Sequence, residues 1–226
     1  MKKRLLSLIM AVMMVVVLVV PAAAATTDTT SGGTVTVYVT YGMFTEGGYD
    51  TVAKAPKAQE YNSTGLPTSD NINSNFYINA YTLSINTIKT DYMETTQGLY
   101  GVPDTSVSYF KTPNLVDAIL AAFFENGIDI TDPNVVSAGW DDHPVRGNPG
   151  GYIHSVSPDV PKYNETIQRT VDGVLYNIYS GNGWNIACGT SASNIKALDA
   201  YGTSTALTDG MIIVFDYSPY MIYDVL

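Results

Sequence analysis

Only one stretch of the chain, Thr112 to Gly127, spaces its apolar residues as a helix does, while the rest alternates or turns. Val116, Ile119, Leu120 and Phe123 fall at i, i+3, i+4 and i+7, so they share one helix face, and Leu115 and Phe124 widen that stripe. Thr112 is expected as N-cap, Pro113 as the first helical residue, and Gly127 at the left-handed position after the last turn. A single amphipathic helix must bury its stripe against another element, and the surrounding sequence offers strands.

Val35, Val37 and Val39 alternate with Thr36, Tyr38 and Thr40, which is the period of a half-buried strand. Phe76 to Ile88, Val107 to Phe110, Tyr152 to Val156, Val174 to Tyr179, Trp184 to Ala187 and Met211 to Tyr217 read as further strands. Ser180-Gly181-Asn182-Gly183 is expected to turn the chain between two of them, because Asn-Gly favours tight hairpins. Ser157 to Asp172 and the Gly/Pro-rich Gly139 to Gly151 read as loops. One helix among six or seven strands predicts an α+β domain over 34–226, with a long polar insertion at about 47–75.

The N-terminus reads differently. Lys2, Lys3 and Arg4 precede the apolar run Leu5 to Val20, and Pro21 to Ala25 supplies small residues, so 1–25 is expected to be a cleaved export signal. The alternative is a retained anchor, since the apolar run approaches the lower limit of roughly 17 residues for a span. Residues 26–33 then form a flexible leader. No cysteine lies near the cleavage block, which excludes a lipoprotein anchor, and nothing after Ala25 is apolar for long enough to cross a bilayer. The expected location is extracellular, free or associated with the cell surface.

Cleavage would leave 8 basic residues against 21 acidic ones, a net charge of −13. Nucleic acid and anionic membrane would be repelled by such a surface. Cys188 is the only cysteine, so no intramolecular disulfide can form and the core must supply stability.

Several later segments carry a resemblance. Asn114-Leu115-Val116-Asp117-Ala118-Ile119-Leu120, Gly151-Tyr152-Ile153-His154-Ser155-Val156, Gly183-Trp184-Asn185-Ile186, and Tyr201 with Leu207-Thr208-Asp209-Gly210-Met211-Ile212-Ile213 follow one another in that order. In kind and order they resemble the helix, the Gly-Tyr, Gly-Trp and Asp-Gly strands of the DUF4430 family, which is related to the C-terminal β-domain of the cobalamin carriers transcobalamin and intrinsic factor. The resemblance covers roughly residues 107 to 219, with departures at Ala187-Cys188-Gly189 and at Met211. It implies a β-grasp-like fold with the helix across a mixed or antiparallel sheet, in a secreted protein. It transfers no ligand, because the carriers need a second, helical domain to enclose the corrin.

Catalytic sets are hard to assemble. His143 and His154 do not have zinc-motif spacing, and neither Asp141-Asp142 nor Asp129 and Asp132 forms a calcium loop. Gly189-Thr190-Ser191-Ala192-Ser193 lacks the last glycine of a nucleophile elbow. No catalytic residue, metal site or cofactor is therefore expected. The 17 Tyr and two Trp exceed the needs of a small core, and Tyr combines contact area with a hydrogen-bonding tip. Tyr38, Tyr176 and Tyr217 are expected to pack, whereas Tyr41, Tyr49, Tyr61, Tyr100, Tyr201, Tyr220 and Tyr223 lie near turns or termini. The sequence thus points to a non-catalytic binding module for a small ligand or surface glycan, held at a sheet end by Trp140, Tyr152 and Trp184. The other reading is a structural or adhesive surface protein that binds other proteins.

Overall fold

The computed structural model describes residues 32–62, 65–76, 78, 80–101, 111–141, 150–198 and 200–226. The export signal, most of the leader, the strand expected at Val107 to Phe110, and Asp142 and His143 lie outside the described residues.

The valine alternation builds the middle of the molecule. β1 (Thr34–Tyr41) pairs in parallel with β10 (Met211–Val225) and antiparallel with β4 (Tyr81–Ser84). β10 continues to β8 (Val174–Gly189) and β8 to β7 (Lys162–Val171), both antiparallel, while the short β9 (Lys196–Ala197) joins the far end of β8. The result is a mixed six-stranded sheet in the order β4-β1-β10-β8-β7. Two small hairpins, β2 (Gly48–Asp50) with β3 (Ala55–Lys57) and β5 (Val136–Asp141) with β6 (Gly150–Val156), complete the strands.

Each face of the sheet has its own apolar cluster. Val35, Val37, Val39, Met211, Ile213 and Phe215 face the central helix, Leu115–Glu125. Tyr38, Val214 and Ala187 face the other way, onto Met43, Phe44 and Ile195. The architecture is α+β, as the periodicities predict. The central helix is buried nearly all round, from Leu115 to Phe123, because a second helical segment and the β5–β6 hairpin pack on the sides the sheet leaves free. Among the described residues no helix is long and apolar enough to cross a membrane.

Several local expectations are corrected. The helix cap is Asn114, not Thr112: its side chain accepts from the N–H groups of Val116 and Asp117, and Asp117 accepts from the N–H of Asn114 in return. Gly127 does take the left-handed position, with φ +78°. Phe124 is half exposed and turned towards Tyr92 instead of the core.

The run expected to be strand as far as Ile88 becomes helical at Ile85 and continues through Ile85–Thr87, a π-turn at Ile88–Tyr92 and Met93–Leu99. The stretch read as turn at Ser157 to Asp172 contains β7, and the true turn is Asp172-Gly173, both at positive φ, joining Val171 to Val174. Asn182-Gly183 sits inside the unbroken β8. Within 47–75 the β2–β3 hairpin docks on β10, where the Tyr49 ring meets those of Tyr176 and Tyr223 at 6.0 and 5.6 Å. The stretch Gly139 to Gly151, expected to be loop, contributes the end of β5 and the start of β6.

Candidate functional site

Tyr152 projects from β6 by strand alternation. In the register of the hairpin Gly139 faces Tyr152 and Trp140 faces Gly151, so Trp140 and Tyr152 lie on opposite faces. Gly151 is required on the inner face, since a Cβ there would come within 2.9 Å of the Tyr100 ring and of Thr203. Trp140 therefore packs inward against the main core, and Tyr152 stands outside with its ring 6.3 Å from His154 and 6.2 Å from Tyr201.

Trp184 comes from β8 and turns its ring to the core. Its ring stacks on Phe215 with centroids 4.4 Å apart and planes 4° from parallel, and it meets Tyr217 and Phe76 edge-on. The indole N–H donates to the Asp159 carbonyl at 2.8 Å. The side chain is thus committed to the core on most of its surface.

Tyr152 and Trp184 both line a cavity of about 490 Å³, together with Tyr163, Tyr179 and Tyr220 and with Gln59, Asn185 and Asp224. This volume is within the range of roughly 300–1,000 Å³ typical of small-molecule sites. Trp140 is not in this wall, so two of the three expected residues come together and the third does not. Tyr163 is the most open ring, 73% exposed, and lies edge-on to Tyr220 at 6.5 Å. Gly181 lets β7 and β8 meet beside them, because a Cβ there would sit 2.1 Å from the Lys162 carbonyl oxygen. A second cavity of about 500 Å³, lined in part by Phe44, Lys57 and Tyr223, shares Gln59, Asn185 and Ile222 with the first.

Of these residues, Tyr163 and Tyr179 carry no spacing signal that they belong together. They are a strand apart in sequence and meet only because β7 folds back on β8. Tyr220 belongs to the set of tyrosines expected near turns or termini, but Tyr100 of the same set is fully buried.

The electrostatics divide into core and cavity. Burial pushes the Tyr220 hydroxyl up, with Tyr163 adding to the shift, and pushes the Cys188 thiol up as well. Two carboxyls are enclosed in the fold, and burial holds both above the usual range against the hydrogen bonds they receive. Asp117 accepts from Thr96 at 2.5 Å and Tyr100 at 3.1 Å. Asp216 accepts from Thr40 at 2.7 Å, from the Met43 N–H and from Ser218, and so pins the chain after β1. Among the described residues no group of three or more His, Cys, Asp or Glu is placed to hold a metal ion.

A carboxyl whose folded value is raised stabilises the fold below its unfolded value and loses that contribution as pH rises through the folded one. Relative to Asp216→Asn, the wild type is therefore expected to gain stability as pH falls from 7 towards 4, in urea melts of both proteins. A difference that is flat with pH, or that falls with acid, would contradict the assignment.

Compared with protein-family models, with curated proteins and with solved structures, the chain finds no match in any of the three.

Proposed function

We propose that this protein is a secreted, non-catalytic binding module that holds a surface glycan or another small ligand in the aromatic cavity between β6, β7, β8 and β10. One observation carries the reading: Tyr152, Tyr163, Tyr179 and Tyr220, from four strands, line one cavity that also presents amide and carboxylate side chains. Flat apolar rings beside a few polar groups suit a ligand with both apolar faces and hydroxyls. The buried carboxyls serve the fold instead of the cavity, which favours binding over catalysis. Secretion rests on the N-terminal export pattern. The DUF4430-like, β-grasp reading is supported by a helix lying across a mixed sheet.

A ligand that binds only the folded protein raises its stability by about 2.7 kcal/mol at a concentration a hundred times its dissociation constant. In a thermal-shift screen of the exported protein against a glycan panel, cobamides and haem, a saccharide is expected to raise the melting temperature. A folded protein that none of these stabilises would end the reading.

A specific feature favours a second reading, that of a structural or adhesive protein. β7 is the outer strand of the sheet, and Ile167, Val174, Leu175, Val225 and Leu226 are exposed at that end. An open edge with apolar side chains invites another protein.

A further inference from the structure

We infer that the main chain of Trp184 is the polar contact of the aromatic cavity, and that it selects a pyranose carrying adjacent equatorial hydroxyls. The inference rests on the glycan reading above and names the ligand class more closely.

The outer edge of β8 is covered by two different partners with a gap between them. β7 pairs along it as far as Asn182, and the β9 side resumes at Ile186, whose carbonyl accepts from the Leu198 N–H at 2.8 Å. Residues 183–185 lie in the gap, and all three line the cavity.

Two observations fix which of them turns its polar groups outward. The Tyr217 carbonyl accepts from the Gly42 N–H at 3.2 Å, so Tyr217 directs its main chain away from β8 and its pairing with Trp184 is of the non-hydrogen-bonded kind. Ile186, two residues from Trp184, directs its carbonyl to the outer edge, and main-chain direction repeats every second residue. The N–H and C=O of Trp184 therefore both point out of the sheet at the gap. No described residue pairs with them there.

A buried or half-buried main-chain group without a partner is uncommon, and here a ligand can provide one. The N–H and C=O of one extended residue lie side by side on a strand edge, one donating and one accepting. Neighbouring equatorial hydroxyls of a pyranose also lie side by side, and each can donate or accept. One hydroxyl accepts from the Trp184 N–H while the next donates to its C=O, and the sugar's C–H face rests on the tyrosine rings. A flat tetrapyrrole or corrin offers no such pair at its face.

The test is an amide-resolved NMR titration of the exported protein with cellohexaose and xylohexaose, whose residues carry adjacent equatorial 2- and 3-hydroxyls, repeated with the fully O-methylated form of any that binds. A methyl ether still accepts but cannot donate. The expected result is that a native oligosaccharide shifts the Trp184 main-chain amide and that methylation weakens binding at least tenfold. Binding that leaves the Trp184 amide unmoved, or that survives methylation, overturns this inference while the glycan reading stands. An extended tripeptide that moves the Trp184 amide where no saccharide does overturns the ligand class. Silence towards every saccharide overturns the inference together with the reading it rests on.

Discussion

Truncating Ile119 or Leu120 to Ala is expected to cost about 2–5 kcal/mol in urea melts, because each deletes a fully buried side chain that the surroundings cannot refill. A domain has roughly 5–15 kcal/mol in total, so either change should bring the protein close to unfolding at moderate temperature. Both residues sit on the central helix between the sheet and the layer of the second helical segment. Glu125, at the exposed end of the same helix, accepts from the Tyr81 hydroxyl at 3.1 Å, and its replacement by Ala should change stability by less than about 0.5 kcal/mol. The contrast within one helix separates burial from helix propensity, which Ala favours at every position. Equal, mild effects at all three positions would mean that the helix is not docked as described.

The helix and the middle of the sheet were legible because one spacing rule explains each of them. The valines of β1 and the alternation beginning at Met211 are half-buried by a period of two, and the helix by a period of 3.6. Its cap was misplaced because Thr112 and Asn114 are both capping residues, and only the return bond from Asp117 distinguishes them. Elements with little apolar pattern were not legible. In the helical segment 85–99 the buried positions are Ile88 and Thr96, and in β7 nearly every residue is exposed, so neither period appears.

Glycine misled for a related reason. Gly181 is needed for close approach to Lys162 inside a strand, not for a turn, and sequence alone does not separate the two uses. The site followed the same division. Strand parity would have placed Trp140 and Tyr152 on opposite faces had the hairpin register been known. Tyr163 lies on β7, whose mostly exposed residues show no period, so its place in the site is not legible from the sequence.

The second large effect is expected at the cavity. Tyr163 and Tyr152 stand outside the core, so removing their rings should leave the melting midpoint in urea almost unchanged. Buried aromatic contacts at binding sites each contribute on the order of 1–2 kcal/mol or more, and 1.4 kcal/mol is a factor of ten in affinity. Each of Tyr163→Ala and Tyr152→Ala is thus expected to weaken binding roughly tenfold, and the double variant about a hundredfold if the two rings act independently.

Calorimetric titration of the best saccharide into the wild type and the Tyr152→Ala/Tyr163→Ala variant tests the central claim most directly. The binding reading predicts that the folded variant loses about a hundredfold in affinity, while Tyr41→Ala, at an exposed ring outside the cavity wall, retains it. Equal affinity for the wild type and the double variant would contradict it, and would move the ligand away from this cavity.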